Sequence, residues 1–133
     1  MERIVTTILK LPDNKLVLQR RDNKAPSSPN LLTFFGGHRE EGESALASAI
    51  RELYEETKLE FSEVQLTHIA TITINQMLVD VFIANIDNVM TVVYEGLRAE
   101  SYSVDELLLR KDLSPVAAIV LRNARKDKQW LLA

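Results

Sequence analysis

The chain begins with short apolar runs separated by turn-forming residues. β-branched and aliphatic side chains fill 3–9 and 16–19, and the cluster 11–14 between them is rich in turn formers. This order predicts a β-hairpin. A further apolar run, 31–35, ends at Gly36-Gly37, which predicts a buried strand that stops at a flexible turn.

A helical period replaces this pattern over residues 44–57. Apolar or small side chains recur there at spacings of three and four, as on the buried stripe of an amphipathic helix, at Leu46, Ala49, Ile50, Leu53 and Thr57. We therefore predict a helix that packs one face against the core.

The second half of the chain predicts further strands and then two helices. The strand-like runs are 64–74, 78–86 and 91–94. Ser103 and Glu106 have the spacing of a capping box, which predicts a short helix through Leu109. A final helix over 117–125 follows the helix-starting pair Ser114-Pro115.

Composition narrows the class of protein. The 133 residues are 46% hydrophobic, enough for one ordinary core, so a single domain over 1–133 is expected.

Charge and cysteine content exclude several functions. A net charge of −3 argues against binding a nucleic-acid polymer. The lack of cysteine excludes disulfides, thiolate zinc sites and a cysteine nucleophile. No apolar stretch approaches the roughly 20 residues of a membrane span, and no secretory signal is evident, so we expect a cytoplasmic protein that does not bind membranes.

Glycine and glutamate concentrate in one short region. Three of the 4 glycines lie within 36–42, and six glutamates fall between residues 40 and 56. On a helix, Glu52, Glu55 and Glu56 share a face largely opposed to the apolar stripe. Because like charges so placed cost about 0.2–0.5 kcal/mol per pair, they indicate a compensating cation, the alternative being a solvated acidic face. Mg²⁺ is commonly held by carboxylates together with substrate phosphates, which predicts a phosphate ester or anhydride as substrate.

These residues stand in the order of a known signature. The chain resembles the Nudix hydrolase box, G-x5-E-x7-R-E-U-x-E-E-x-G-U with U aliphatic, from Gly37-His38-Arg39-Glu40-Glu41-Gly42-Glu43 through Arg51-Glu52-Leu53-Tyr54-Glu55-Glu56-Thr57-Lys58-Leu59. Eight of the nine specified positions match. Segments 16–21 and 103–107 are also similar to family segments, so the resemblance covers most of the chain.

The resemblance implies an α+β fold, an α/β/α sandwich with a mixed central β-sheet, in which the box forms a loop–helix–loop. It also implies hydrolysis of a nucleoside diphosphate linked to another moiety, with Mg²⁺ or, as a substitute, Mn²⁺. The first expectation is a mutator-type pyrophosphohydrolase that converts a nucleoside triphosphate to the monophosphate and pyrophosphate. The alternatives are a nucleotide sugar or dinucleoside polyphosphate hydrolase, or a nonenzymatic nucleotide- or metabolite-binding module.

The expected partner is a small phosphorylated molecule. The oligomeric state is left open, a homodimer included. The apolar C-terminal residues Trp130, Leu131 and Leu132 could pack either on the domain or on another subunit.

The resemblance assigns the metal ligands residue by residue. Glu55 and Glu56 match the principal ligands, and Glu52 matches a residue that acts as ligand or general base in different members. Gly36 aligns with a residue whose backbone carbonyl can bind the metal.

Other positions are implied to support catalysis or bind substrate. Arg51 matches the arginine that orients the glutamates, Glu43 matches the glutamate that supports the loop–helix–loop, and Gly37 permits the turn beside the substrate. A later acidic residue joins the site in some relatives, and Glu100 is preferred here over Glu95.

Two arginines at the end of the second strand are candidate phosphate clamps. Arg20 and Arg21 are both expected at the substrate, with Arg21 slightly favoured by the alignment, because a planar guanidinium matches phosphate geometry. Their alternative interpretation is that of solvent-facing charges.

The chain departs from the family pattern at two positions. Lys58 stands where the box has glycine, and a left-handed backbone there would cost a non-glycine residue about 1 kcal/mol. Phe35 stands where many relatives have proline before Gly36-Gly37, so the turn lacks the φ that proline presets.

Overall fold

The structure is a computed structural model that describes residues 1–126, so the apolar residues Trp130, Leu131 and Leu132 lie outside the described residues. Within that range seven strands form one sheet: β1 (Glu2–Lys10), β2 (Leu16–Arg20), β3 (Leu32–Thr33), β4 (Phe35–His38), β5 (Thr67–Ile74), β6 (Met77–Asn85) and β7 (Arg98–Tyr102). The order is β3-β2-β1-β6-β5, with β4 also paired to β1 and β7 to β2. The sheet is mixed, because β1 and β6 run parallel while the other pairs are antiparallel.

The helices begin at residues that can cap them. They are α1 (Ala45–Thr57), α2 (Val104–Leu109) and α3 (Pro115–Lys126), and a 3₁₀ helix spans Glu63–Gln65. The Ser44 side chain accepts the Ala47 N–H at the start of α1, and Ser103 forms the predicted capping box at the start of α2. None of the helices within residues 1–126 has the length and apolar character to cross a bilayer.

Both faces of the sheet are covered. Along β6, Val79 and Val81 pack in one cluster with side chains of α2 and α3, while Phe82 and Ala84 pack in a second cluster with side chains of α1. Side chains alternate between the faces of a strand, so this division places α1 on one side of the sheet and α2 and α3 on the other. The predicted α/β/α sandwich with a mixed sheet is confirmed.

The structure corrects two strand predictions. The apolar run 31–35 is split at Phe34, because β3 pairs with β2 and β4 pairs with β1. The run also does not stop at a turn at Gly36-Gly37, because both glycines continue β4 opposite Thr6 and Val5. The strand predicted over 91–94 is wrong: that segment has no regular structure, and Val93 is buried from a loop instead. The actual strand, β7, was missed because its polar side chains are satisfied by tertiary ion pairs, which the local pattern does not show.

Candidate active site

Three carboxylates from two elements lie together at one end of α1. Glu52 and Glu56 are one turn apart on the helix and are only 8% and 1% exposed. Glu95, in the loop 86–97 between β6 and β7, joins them from outside. One oxygen from each of the three residues can be chosen so that all lie within 4.8 Å of one another. Such proximity of like charges is unfavourable without a cation.

Glu56 is held by donors from two strands. Its carboxylate accepts the Gly36 backbone N–H at 3.2 Å and Nε2 of Gln19 at 3.3 Å. Burial, reinforced by the charges of Glu52 and Glu95, raises the pKa of Glu56 to about 9. Gln19 was not predicted as a site residue, although an amide in the buried strand Leu16–Arg20 is an informative signal, since buried polar groups are normally paired for a reason.

Glu52 lies directly against Gly37 in β4. A Cβ at Gly37 would stand 2.6 Å from Oε1 of Glu52, so only a residue without a side chain leaves room for the carboxylate. Burial is the main cause that raises the pKa of Glu52, and the charge of Arg51 opposes it. The second glycine of the pair lies in β4 opposite Val5, and its lack of a side chain leaves room for a predicted metal ligand.

Arg51 connects the loop before α1 to the carboxylates on it. Its Nε and Nη2 donate to both carboxylate oxygens of Glu43 at 2.7 and 3.0 Å, and its Nη1 donates to Glu52 and Glu55 at 3.1 Å each. Nη2 also donates to the His38 carbonyl at 3.1 Å. The hydrogen bond from Arg51 is the main cause that lowers the pKa of Glu43 to about 2. This geometry agrees with the orienting part that the resemblance implies for Arg51 and Glu43.

A cavity of about 600 Å³ opens beside the carboxylates. Its walls combine the acidic end, with Glu52, Glu55 and Glu95, with hydroxyl and apolar side chains from the strands, the 22–30 loop and α3, including Thr6, Ser27, Thr33, Phe34 and Val116. Arg21 also lines it and is fixed by donating its Nε to the Ser27 carbonyl at 2.8 Å. Among residues 1–126 no side chain or carbonyl accepts from the Nη groups of Arg21, so they are free to meet an anion.

Two predicted site residues pair with each other instead of lining the cavity. Arg20 donates from Nε and Nη2 to the two carboxylate oxygens of Glu100, both at 2.9 Å, and from Nη1 to Asp112 at 2.9 Å. Both Arg20 and Glu100 have side chains only 13% exposed. The structure therefore places Arg20 and Glu100 in an ion-pair network between β2 and β7, and it brings Glu95 to the buried carboxylates of α1.

We predict that Arg20→Met destabilises the fold and leaves turnover intact. Hydrogen bonds to charged groups contribute about 1.5–3 kcal/mol, and we expect a loss of about 2 kcal/mol at pH 7 in urea unfolding. Arg20 lowers the pKa of Glu100 to about 2 from 4.5, so this stabilisation is present above about pH 4.5 and disappears as the pH falls toward 2. The difference between the variant and the wild type should narrow over that interval.

Arg98→Met is the matched control for this prediction, because Arg98 contacts the same carboxylate at 3.1 Å from a side chain that is 60% exposed. It should cost less than about 1 kcal/mol. A loss of turnover in Arg20→Met with unchanged stability would contradict the structural assignment of Arg20.

The sequence was compared with models of known protein families. A family model described as NUDIX domain matches residues 1–124. The chain belongs to the Nudix family. The resemblance of the box is thereby confirmed, and membership identifies the chain as a Nudix hydrolase.

Solved structures share the fold at low sequence identity. The DR0079 protein of Deinococcus radiodurans is 21% identical with a TM-score of 0.82, and the match covers 92% of this chain and 82% of that one. The MutT protein of Methanosarcina mazei Go1 is 16% identical with a TM-score of 0.72, over 96% of this chain and 95% of that one. A NUDIX-family hydrolase of Clostridium perfringens is 18% identical with a TM-score of 0.65, over 92% and 94%. Among curated proteins, none matches the sequence.

Nudix hydrolases generally use divalent metals, and the residues present fit such an ion. Carboxylate oxygens are the ligands that hard divalent cations prefer. Two of the three clustered carboxylates are buried, and burial raises the pKa of both Glu52 and Glu56, so a divalent cation among them would favour their charged forms. Glu55 is more exposed and lines the cavity beside them.

The next-to-last position of the Nudix box, where the pattern has glycine, holds a left-handed lysine in this chain. Lys58 has φ 63° and ψ 11°, and its N–H donates to the Tyr54 carbonyl at 2.9 Å to cap α1. The helix end is thus preserved without glycine, at a backbone cost of about 1 kcal/mol.

Proposed function

We propose that this Nudix hydrolase cleaves a nucleoside triphosphate to the nucleoside monophosphate and pyrophosphate in the presence of Mg²⁺, with Mn²⁺ as a substitute. The observation that carries the proposal is the carboxylate cluster of Glu52, Glu56 and Glu95 at the edge of a cavity whose wall also holds the Nη groups of Arg21. Cavities of about 300–1,000 Å³ suit small ligands, and this one is about 600 Å³. Its charged end suits a polyphosphate with a cation, and its mixed wall suits a nucleoside.

The metal-holding residues in this proposal are Glu52, Glu56 and Glu95, with Glu55 and the Gly36 carbonyl as further ligands. Mg²⁺ bound there supplies a Lewis acid that polarises a phosphoryl oxygen and offsets charge on the leaving phosphate. Gln19 and the Gly36 N–H keep the Glu56 carboxylate in place from the strand side. Arg51 keeps Glu52 and Glu55 in place from the helix side.

The remaining chemistry falls to residues that line the cavity. A water molecule attacks phosphorus and gives its proton to Glu52, while the phosphoric anhydride bond breaks and the pyrophosphate departs with the bonding electron pair. Glu52 is preferred as proton acceptor because it lines the cavity and is oriented by Arg51 Nη1 at 3.1 Å. The Nη groups of Arg21 bind the phosphates, and the side chains around Thr33, Phe34 and Val116 receive the nucleoside.

The proposal is tested by measuring phosphate and pyrophosphate release over a panel of nucleoside triphosphates, oxidised nucleotides, nucleotide sugars and dinucleoside polyphosphates. Each substrate is tried with Mg²⁺, with Mn²⁺ and with EDTA, and Glu56→Gln is the inactive control. Pyrophosphate release from triphosphates, absent in EDTA and in the control, is the expected result. Turnover of nucleotide sugars or dinucleoside polyphosphates alone would show that the substrate belongs to one of these classes and is not a nucleoside triphosphate. Tight binding without any turnover would favour the binding-module alternative.

A further inference from the structure

The box position occupied by Lys58 combines a glycine-like backbone with a long cationic side chain. The backbone is left-handed at φ 63°, which a glycine would adopt at no steric cost. A lysine there is therefore disfavoured locally, and its side chain makes contacts that a glycine could not.

Those contacts join the end of α1 to the loop that carries Glu95. The Lys58 Nζ lies 5.1 Å from the centre of the Tyr54 ring on α1 and 4.9 Å from the centre of the Tyr94 ring on the loop. Both distances are within the range of cation–π attraction. Tyr94 immediately precedes Glu95, so the ammonium group connects the helix to the residue next to the outer carboxylate of the cluster.

The same loop is anchored at three other points. The Tyr94 N–H donates to the Glu56 carbonyl at 2.8 Å, and Val93 is buried in the core cluster on the α1 face. On the far side of Glu95, the Leu97 N–H donates to the Arg20 carbonyl at 2.8 Å. The loop thus passes between the end of α1 and the end of β2 with Glu95 held at the middle of the crossing.

These anchors oppose electrostatic repulsion between Glu95 and the carboxylates on α1. The Glu95 side chain is exposed and comes within 4.8 Å of Glu52 and Glu56, so an ionised carboxylate at either position repels it when no cation lies between them. Residues 93–97 have no helix or strand of their own to resist that repulsion. The attachment of Tyr94 to α1 opposes the outward displacement of the loop.

We propose that Lys58 is a positioning residue that clamps Tyr94 against α1 and thereby holds Glu95 at the carboxylate cluster. The part of this inference that concerns metal affinity rests on the proposed function. The clamp itself does not, because it is a contact between the helix and the loop.

The test compares Lys58→Gln, Lys58→Gly and Lys58→Arg, with the exposed Lys111→Met as the matched control. Mn²⁺ affinity is measured by electron paramagnetic resonance, without substrate. Lys58→Gln keeps the left-handed backbone strain and removes the charge, and should weaken Mn²⁺ binding about fivefold. Lys58→Gly relieves the strain and should weaken it equally, whereas Lys58→Arg and Lys111→Met should bind as the wild type does.

A double-variant measurement separates positioning from a general structural effect. In a Glu95→Gln background, Lys58→Gln should weaken Mn²⁺ binding no further, because the carboxylate that it positions is gone. An equal fivefold loss in that background, or an unchanged affinity in Lys58→Gln alone, would overturn the proposal.

Amide hydrogen exchange tests the clamp without any metal. The Tyr94 amide, which donates to Glu56, should exchange about tenfold faster in Lys58→Gln while amides of β1 and β6 keep their rates. Wild-type protein that binds no Mn²⁺ would overturn the proposed function, and the exchange rate of Tyr94 would still decide the clamp. Unchanged exchange at Tyr94 would sink the clamp even if the metal site is real.

Discussion

Glu56→Gln should reduce turnover at least about 10³-fold while the protein remains folded. The carboxylate is the most buried member of the cluster, at 1% exposure, and it lies within 4.8 Å of both others. Metal-assisted charge stabilisation is worth several kcal/mol, and about 4 kcal/mol corresponds to a thousandfold in rate. Steady-state pyrophosphate release with saturating Mg²⁺ measures the loss.

The same substitution should not destabilise the metal-free protein. The raised pKa of Glu56, about 9, means that the buried carboxyl keeps its proton at neutral pH, so glutamine matches it in charge and nearly in shape. Because the folded state binds a proton that the unfolded state releases above about pH 4.5, Glu56 makes stability fall as the pH rises toward 9. In EDTA the variant should therefore be as stable as the wild type or more stable, with a flatter dependence on pH.

Addition of Mn²⁺ should distinguish the wild type from Glu56→Gln. Ligands that bind only the folded state raise its stability, so Mn²⁺ should raise the melting temperature of the wild type and leave Glu56→Gln unchanged. The exposed Glu60→Gln is the matched control and should behave as the wild type in every assay. Full turnover in Glu56→Gln, or an equal Mn²⁺ shift in both proteins, would contradict the assignment of this residue.

The local part of the site could be predicted from the sequence because one helix and its preceding loop carry it. The spacing of Glu52 and Glu56 follows from helical geometry, and Arg51 is adjacent to them along the chain. Individual elements followed in the same way, from strand runs and caps that act over a few residues, such as Ser103 with Glu106, whereas the sandwich fold came from the family resemblance. These features need no knowledge of which segments meet in space.

The residues that sequence reasoning missed or misplaced depend on tertiary contacts. Glu95 and Glu100 are both acidic and only five positions apart, and only the pairing of β7 with β2 puts Glu100 opposite Leu18 and within reach of Arg20. The loop before β7 was predicted as a strand, which concealed that it brings Glu95 to α1. Gln19 was overlooked because its partner, Glu56, is 37 residues away in the chain.

Gly37→Ala should lower kcat about 10²-fold with little loss of stability. The new Cβ would fall 2.6 to 2.8 Å from the carboxylate atoms of Glu52, closer than such atoms approach in proteins, so that side chain must move. Displacement of a reacting or ligating group by about 1 Å costs on the order of 10²-fold in rate. The carboxylate is the end of a flexible side chain, so the backbone can stay in place, and urea unfolding in EDTA should show a small change.

Gly42→Ala is the matched control, because it should strain the backbone without displacing Glu52. Gly42 has φ +84°, and a Cβ added there would have no other atom within 4 Å, so alanine strains the backbone by about 1 kcal/mol and touches no carboxylate. It should lose stability and keep its kcat. If both variants lost activity in proportion to stability, the close approach of Gly37 to Glu52 would not matter to catalysis.

A second substitution, Glu52→Asp, should partly rescue the activity of Gly37→Ala. Glu52→Asp withdraws the carboxylate by one methylene and is expected to lower kcat by itself, yet it makes room for the alanine Cβ. Two changes that act on one contact are not additive, so the double variant should lose less activity than the product of the two single losses. Independent, multiplicative losses would show that Gly37→Ala acts elsewhere than on Glu52.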